Sequence, residues 1–554
     1  MLAGCVPWPE EATARYRSKG IWQGITLPEM LERTIAEVPD KVAVIDGEMR
    51  LTYAQLGEAV DRLAYAFVRR GLRPLDRAVF QLGNGVDMVV AFLGLIKAGV
   101  IPVMALPAHR QSEIGHFLAH AEAVAYLIPD VVRGFDFRAM AEELAPNCAS
   151  LRHVFVSGTP NAGQHDLRAM IAEPAPADII RETLAARRPD AGEVALLLLS
   201  GGTTAIPKMI PRTHDDYVYN CTQCGKATGF RRDIVYLAVL PMAHNFTLAS
   251  PGILAAFSVG GTVVVARSPT PEAVFPLIER HRVTMVCTAV PLVTSWLNSS
   301  VPAQHDLSSL EVLMNGGAKL VPELRRRVEE RFGCRFMESF GTGEGLLCNT
   351  RYDDPEEVRF HSAGRPISPE DEIRIVDPYG NEVPDGVPGE LLARGPYTIR
   401  GYYKAPETNA NAFTADGFYR MGDVVKRIDG NLYVEGRMKD QVNRGGEKIS
   451  CEEVEDHILA HPAVSGACVV AMPDPAYGEK ACAFVILRPG HSLDFRGLVD
   501  FMAARKIAKF KLPERLEIVD SFPISPAGKI LRRELRAVIA AKLAAETAAA
   551  PATA

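Results

Sequence analysis

The chain has 554 residues, too many for a single hydrophobic core, so two or more domains are expected. Its apolar content of 47% and charged content of 23% are ordinary for a globular protein, and a formal net charge of -6 argues against nucleic acid or an anionic membrane as partner. Ten cysteines without an apolar leader segment read as reduced thiols, which places the chain in the cytoplasm. Cys221-Thr-Gln-Cys224 has the spacing of half a zinc knuckle, but no second pair completes four ligands, so ordinary thiols are expected there.

In chain order, helical and strand patterns alternate: Leu27–Glu37, Lys41–Asp46, Thr52–Arg70, Ala78–Gly83, Asp87–Ala98 and Val100–Ala105. The apolar stretch Val86–Leu106 is broken by Lys97, Gly99 and Pro102 and reads as a core helix followed by a strand, not a membrane span. Strand patterns recur at Ala125–Ile128, His153–Val156, Val235–Val239, Thr262–Ala266 and Thr284–Thr288, which predicts α/β layers around a largely parallel sheet. From Pro366 the texture turns to short strands, Glu372–Val376, Gly389–Ala393 and Tyr397–Tyr403, as in a small antiparallel lobe. After Gly436-Arg-Met-Lys-Asp440 a compact α+β unit follows. The expected class is therefore α/β. A large N-terminal domain of layered α/β subdomains plus a small β lobe spans residues 1–438, a smaller mobile α+β domain spans 439–545 with its hinge at Lys439, and the Ala/Thr/Pro-rich tail 546–554 is unstructured.

Six stretches carry candidate chemistry. Leu199-Ser-Gly-Gly-Thr-Thr-Ala-Ile-Pro-Lys208 follows the apolar run Val194–Leu198. Glycines let backbone approach a ligand, and hydroxyls and a lysine donate, which suits phosphate oxygens as well as it suits a plain surface turn. Pro241-Met-Ala-His-Asn245 lies at the C-terminal end of a strand, the edge where open α/β sheets bind ligands; a helix-capping His/Asn pair explains it equally. Asn315-Gly-Gly-Ala318 suits either a flat ligand or a tight turn. Phe340-Gly-Thr-Gly-Glu344 offers one carboxylate for Mg²⁺ beside phosphates, or an exposed loop glutamate. Tyr419-Arg-Met-Gly-Asp423 presents an aspartate to ribose hydroxyls or to its own turn. Pro526-Ala-Gly-Lys529 holds a lysine able to reach a distant cleft, or one that starts the basic helix Leu531–Leu543.

Taken together and in this order, the stretches resemble the adenylate-forming superfamily from about Trp8 to Leu543. Trp8-Pro-Glu-Glu, Pro102-Val-Met-Ala-Leu-Pro-Ala-His109, Ile210-Pro-Arg-Thr-His214, Arg394-Gly-Pro-Tyr-Thr-Ile-Arg-Gly-Tyr-Tyr403 and Gln441-Val-Asn-Arg-Gly-Gly-Glu-Lys448 are similar to the stand-alone aryl acid–AMP ligases of siderophore biosynthesis, the 2,3-dihydroxybenzoate and salicylate enzymes. The resemblance implies ATP and Mg²⁺ as cofactors. It assigns Ser200, Gly201, Gly202, Thr203, Thr204 and Lys208 to the triphosphate, Gly316, Gly317, Ala318, Ser339, Phe340 and Gly341 to adenine, and Thr342 to the ATP site. Asp423 goes with the ribose, Arg437 with ATP, Glu344 with Mg²⁺, and Lys439 with the hinge about which the small domain turns. His244 and the adenylating Lys529 join Lys208 and Glu344 in catalysis. The aryl pocket falls to Asn245, Phe246, Ser250, Gly317 and Leu347. The acyl-adenylate would pass to the phosphopantetheine thiol of an aryl carrier protein acting in trans.

Serine at position 250 accompanies 2,3-dihydroxybenzoate in this family and cysteine accompanies salicylate. Leu347, where the dihydroxybenzoate members carry valine, favours the smaller salicylate, and Ser339 likewise departs from valine. A lost buried hydrogen bond costs about 1–3 kcal/mol, more than one methylene discriminates, so 2,3-dihydroxybenzoate leads. Ala205 replaces the glycine usual in the phosphate loop, Gly343 a threonine and Met421 another threonine. The rival readings are an aryl-CoA ligase and a weakened paralogue that only binds a carrier or aryl ligand.

Overall fold

The computed structural model describes residues 1–200, 207–437, 440–444, 447–505, 507, 509–525 and 529–549. The chain divides into two compact units, Met1–Glu372 with Ala393–Tyr419, and Ile373–Leu392 with Arg420–Ala554.

The first unit holds two large sheets. In the seven-stranded sheet, β1 (Val194–Leu199) lies between Ile101–Met104, to which it is parallel, and the antiparallel β2 (Met209–Thr213). Arg77–Phe80, Ala125–Pro129, His153–Ser157 and His165–Asp166 continue the sheet in parallel. Branched apolar residues buried on both faces make β1 a central strand. Helix α1 (His214–Ala227) starts where Thr213 caps it, its hydroxyl accepting from Asp216 N and the Asp216 carboxylate accepting from Thr213 N.

The nine-stranded sheet has a parallel centre of Val42–Asp46, Thr262–Val265, Val235–Ala238, Met285–Thr288, β3 (Val312–Gly316) and β4 (Arg335–Thr342). β5 (Gly345–Asn349) is antiparallel to β4, and Arg365–Pro366 and Met49–Thr52 close the two edges. Helices cover this sheet around a core that includes Phe275, Trp296, Leu313, Val328 and Phe336. The short helix α2 (Asn245–Ala249) follows the strand Val235–Ala238.

In the second unit, Glu372–Val376, Gly389–Arg394, β6 (Tyr419–Ile428) and β7 (Asn431–Arg437) form a four-stranded sheet. A five-stranded sheet of residues 441–518 packs against Cys451–Leu459 and Phe495–Ala504, with Val454, Val469, Val485 and Leu498 buried. Cys468, Val470 and Phe484 meet α3 (Arg532–Ala549) through Leu535 and Ile539. Among the described residues no helix is long and apolar enough to cross a membrane.

The α/β class and the parallel sheets are as expected. The small β lobe, however, groups with the chain after Arg420, because β6 and β7 complete its sheet. Two expectations need correction. Tyr397–Tyr403 is not a strand, since its backbone bonds go to separate partners: Ile399 N to Glu344 O, Tyr402 N to Asn409 Oδ1 and Tyr403 N to Met209 O. The tail from residue 546 is not unstructured throughout, because α3 runs on to Ala549. Its alanines are the strongest helix formers, and Glu546 pairs with Arg515 at 2.6 Å.

Candidate active site

The register of β3, β4 and β5 assembles the predicted adenine platform together with Leu347 of the predicted aryl pocket. Gly316 lies beside Ser339, and Ser339, Phe340, Gly341 and Thr342 face Asn349, Cys348, Leu347 and Gly345. Thr342 Oγ1 donates to Gly345 O at 3.0 Å, tightening the turn that carries Gly343 and Glu344. Gly316 has no room for a side chain: a Cβ there would come within 2.6 Å of the Phe246 ring. Gly317, at φ +84°, needs glycine for its backbone, and Ala318 O accepts from Asn315 Nδ2 at 2.8 Å. The predicted adenine platform is thus contiguous with Phe246 of the predicted aryl pocket.

Glu344 is buried, and its Oε1 accepts from the Tyr402 hydroxyl at 2.8 Å. Lys208 Nζ stands 4.8 Å from the centroid of the same ring. Burial and the facing Glu344 carboxylate push the Tyr402 phenol far above its usual range, so it remains a donor. Ser200 and Lys208 pair through Ser200 N to Lys208 O and Lys208 N to Ser200 Oγ, both at 2.9 Å, and so bracket the stretch between them. Gly201, Gly202, Thr203, Thr204 and Ala205 lie outside the described residues, as does Lys439.

Arg212, fully buried on β2, ties this turn to the aryl side. Its Nη1 donates to Gly343 O at 3.0 Å, its Nη2 to Asn220 Oδ1 at 3.3 Å and to Tyr397 O at 3.2 Å, and its Nε to Asp216 Oδ1 at 2.8 Å. Gly343 also explains itself locally, since a side chain there would press on Ile210 Cδ1 at 3.1 Å. On α2, His244 acts as the N-cap, its Nδ1 accepting from Phe246 N at 3.3 Å. Asn245 Oδ1 accepts from Tyr217 Oη at 2.8 Å while its Nδ2 donates to Ser250 Oγ at 3.2 Å. Ser250 is 1% exposed and Leu347 4%. Leu347 N donates to the Tyr397 hydroxyl at 3.0 Å, which in turn donates to Asp371 Oδ2 at 2.6 Å. Burial lifts the Asp371 carboxyl to about 8.

In the second unit, Asp423 is buried on β6 opposite Arg437 on β7. Lys529 is half-buried, its N donating to Ser525 Oγ at 3.1 Å and its O accepting from Ser525 N at 2.7 Å. Cys221 and Cys224 sit on the buried face of α1, where Cys221 Sγ donates to Val218 O at 3.3 Å.

Sequence reasoning missed Tyr402, Arg212, Tyr217, Asn220, Tyr397 and Asp371 as parts of this site. The first five fall within or just after two of the strings quoted for the resemblance, but nothing in a single tyrosine or arginine announces burial.

Residues 31–403 match the AMP-binding enzyme family, and residues 453–529 match the AMP-binding enzyme C-terminal domain. The chain belongs to the AMP-binding enzyme family. It is similar to the 2,3-dihydroxybenzoate-AMP ligase of Bacillus subtilis, at 44% identity over 98% of this chain and 99% of that protein. It is also similar to the salicyl-AMP ligase / salicyl-S-ArCP synthetase of Mycobacterium tuberculosis, at 43% identity over 96% of this chain and 94% of that protein. Among solved structures, the Mycobacterium smegmatis MbtA apo structure matches with a TM-score of 0.74 and 41% identity, covering 97% of this chain and 99% of that one. Membership in this family of adenylate-forming enzymes implies ATP as the nucleotide.

The donor set suits a magnesium ion too. Mg²⁺ takes one or two carboxylates and completes its shell with phosphate oxygens and water. Glu344 offers one carboxylate on the hydroxyl of the tyrosine whose ring Lys208 faces, and no cluster of three or more His, Cys, Asp or Glu suited to a metal occurs among the described residues.

Proposed function

We propose that the chain joins an aryl acid, 2,3-dihydroxybenzoate foremost, to AMP with release of pyrophosphate, and then passes the aryl group to the phosphopantetheine thiol of a carrier protein in trans. The observation that carries this reading is the continuity of the two half-sites: Gly316 lies beside Ser339 and against the Phe246 ring, next to the Asn245–Ser250 pair.

In this reading an oxygen of the aryl carboxylate attacks the α-phosphorus of ATP, and the bond to the pyrophosphate oxygen breaks. Ser200, Gly201, Gly202, Thr203, Thr204 and Lys208 hold the triphosphate, while Asp423 holds the ribose and Arg437 belongs to the ATP site. Lys529 sits between carboxylate and α-phosphate, where negative charge crowds as the atoms close. Glu344, oriented by Tyr402, would hold Mg²⁺, which would supply neutralising charge to the phosphates. His244 shapes the start of α2 and so sets Asn245, Phe246 and Ser250 against the ring. A turn of the small domain about Lys439 withdraws Lys529. The carrier thiol then attacks the acyl carbon as a thiolate, and AMP leaves.

The Ser250 hydroxyl favours a 3-hydroxyl on the substrate. Salicylate is the second reading, favoured by the buried side chain of Leu347 at the Gly341 position of the β4–β5 ladder.

Mass spectrometry tests both steps. With ATP, Mg²⁺ and 2,3-dihydroxybenzoate the acyl-adenylate accumulates, and added holo-carrier protein converts it to a thioester while coenzyme A does not. Equal discharge to coenzyme A would make the chain an aryl-CoA ligase, and the absence of any adenylate would make it a binding paralogue.

A further inference from the structure

We infer that Tyr217 and Asn220, two buried residues of α1, fix Ser250 as a hydrogen-bond donor and thereby select aryl acids whose 3-substituent accepts a hydrogen bond. The inference rests on the aryl-acid reading of the pocket.

A serine hydroxyl has one proton and two lone pairs, and its rotor ordinarily adapts to either kind of partner. Here the neighbours remove that freedom. Arg212 can only donate, and its Nη2 reaches Asn220 Oδ1 at 3.3 Å. The Asn220 amide nitrogen must therefore face the other way, where it donates to Ala249 O at 2.8 Å and lies 3.5 Å from Ser250 Oγ. Tyr217 acts on the second amide. Its hydroxyl donates to Asn245 Oδ1 at 2.8 Å, so Asn245 Nδ2 is the end that meets Ser250 Oγ, at 3.2 Å. Burial keeps the Tyr217 phenol protonated, so it has a proton to give to Asn245 Oδ1.

Two amide N–H groups thus converge on one hydroxyl oxygen, and Ser250 is 1% exposed, so bulk water does not take its proton. Among the described residues no acceptor for that proton lies within hydrogen-bonding distance. A ligand that supplies one completes the set. A 3-hydroxyl does so, accepting from Ser250 and turning its own proton toward the neighbouring 2-oxygen. A 3-amino group of nearly the same size brings two further donors and a lone pair drawn into the ring, and leaves the serine proton unpaired. Tyr217 and Asn220 touch no substrate atom in this account. They are positioning residues that set the polarity of Ser250.

The test compares kcat/KM for ATP–pyrophosphate exchange with 2,3-dihydroxybenzoate, 3-amino-2-hydroxybenzoate and salicylate in the wild-type enzyme, Tyr217→Phe and Asn220→Leu. The wild type should prefer the 3-hydroxy over the 3-amino acid by about tenfold or more. Tyr217→Phe frees the Asn245 amide to turn, and Asn220→Leu removes one donor, so each should narrow that ratio at least threefold, whatever its effect on the rate with salicylate. A merely structural role would scale all three substrates together. Equal wild-type rates with the two 3-substituted acids, or an unchanged ratio in both variants, would overturn the inference while leaving the aryl-acid reading intact. No exchange with any of the three acids would overturn that reading and the inference with it.

Discussion

The Tyr402 hydroxyl donates to Glu344 Oε1 at 2.8 Å while Lys208 Nζ stands 4.8 Å over the centre of the same ring. One side chain thus orients an anion through its edge and accommodates a cation on its face. Tyr402 comes from the segment after Gly395, Glu344 from the β4–β5 turn and Lys208 from the residue before β2, so three distant stretches of sequence meet at one phenol.

Tyr402→Phe tests whether the hydroxyl matters to the chemistry. The ring and its lysine remain, but the carboxylate loses a charge-assisted hydrogen bond of about 1.5–3 kcal/mol. ATP–pyrophosphate exchange should fall about 10- to 100-fold, with half-saturation moved to higher Mg²⁺ concentration. An unchanged magnesium dependence would separate Tyr402 from the carboxylate's function.

Arg212 makes a prediction about stability. Its side chain is 0% exposed and that of Asp216 1%, with 2.8 Å between them. Removing only the cation leaves a buried carboxylate without its charge partner, so Arg212→Leu should destabilise the protein by about 3–5 kcal/mol. Arg212→Leu with Asp216→Leu should recover part of that loss. Urea unfolding of the single and double variants measures both, and a double variant less stable than the single would contradict the pairing.

The pH dependence of stability follows from two raised carboxyls. Burial lifts Asp371 to about 8, against the hydrogen bond from Tyr397, and Glu338 to about 7, against the nearby Arg325. In the unfolded chain both ionise near pH 4, so between pH 4 and these values the folded state holds the more protons, and stability falls as pH rises through that window. Thermal unfolding should occur several degrees lower at pH 8 than at pH 5.5. Asp371→Asn, whose amide oxygen can still accept from Tyr397, should flatten the curve between pH 6 and 8. A wild-type melting temperature that rises over this range would refute the assignment.

Lys529→Ala separates the two half-reactions. Exchange should drop by about 100-fold or more, because the charge that Lys529 is proposed to stabilise develops only in adenylation. Thioester formation from supplied aryl-adenylate should stay within a few-fold of wild type. Equal loss in both would contradict the proposed turn about Lys439.

Much of this was legible in sequence, for reasons that can be named. β1 announced itself because Val194–Leu199 is apolar throughout, and the nucleotide stretches declared themselves by their order along the chain rather than by any one of them. Tyr397–Tyr403 misled, because aromatic and branched residues read as a strand while each backbone group answers to a different partner. The last alanines misled in the opposite sense, since low complexity resembles disorder but alanine favours helix. Arg212, Tyr402 and Asp371 were invisible as site residues, since their part depends on which other segments fold against them, a property of tertiary contacts and not of local pattern.

Adenylation of an aryl acid is the activity from which every other proposal for this chain follows. Its most direct test is aryl-acid-dependent ATP–pyrophosphate exchange over 2,3-dihydroxybenzoate, salicylate, 3-hydroxybenzoate, anthranilate and benzoate. Exchange should be fastest with 2,3-dihydroxybenzoate, slower with salicylate and slowest with acids lacking the 2-hydroxyl. Exchange with none of the five would contradict it.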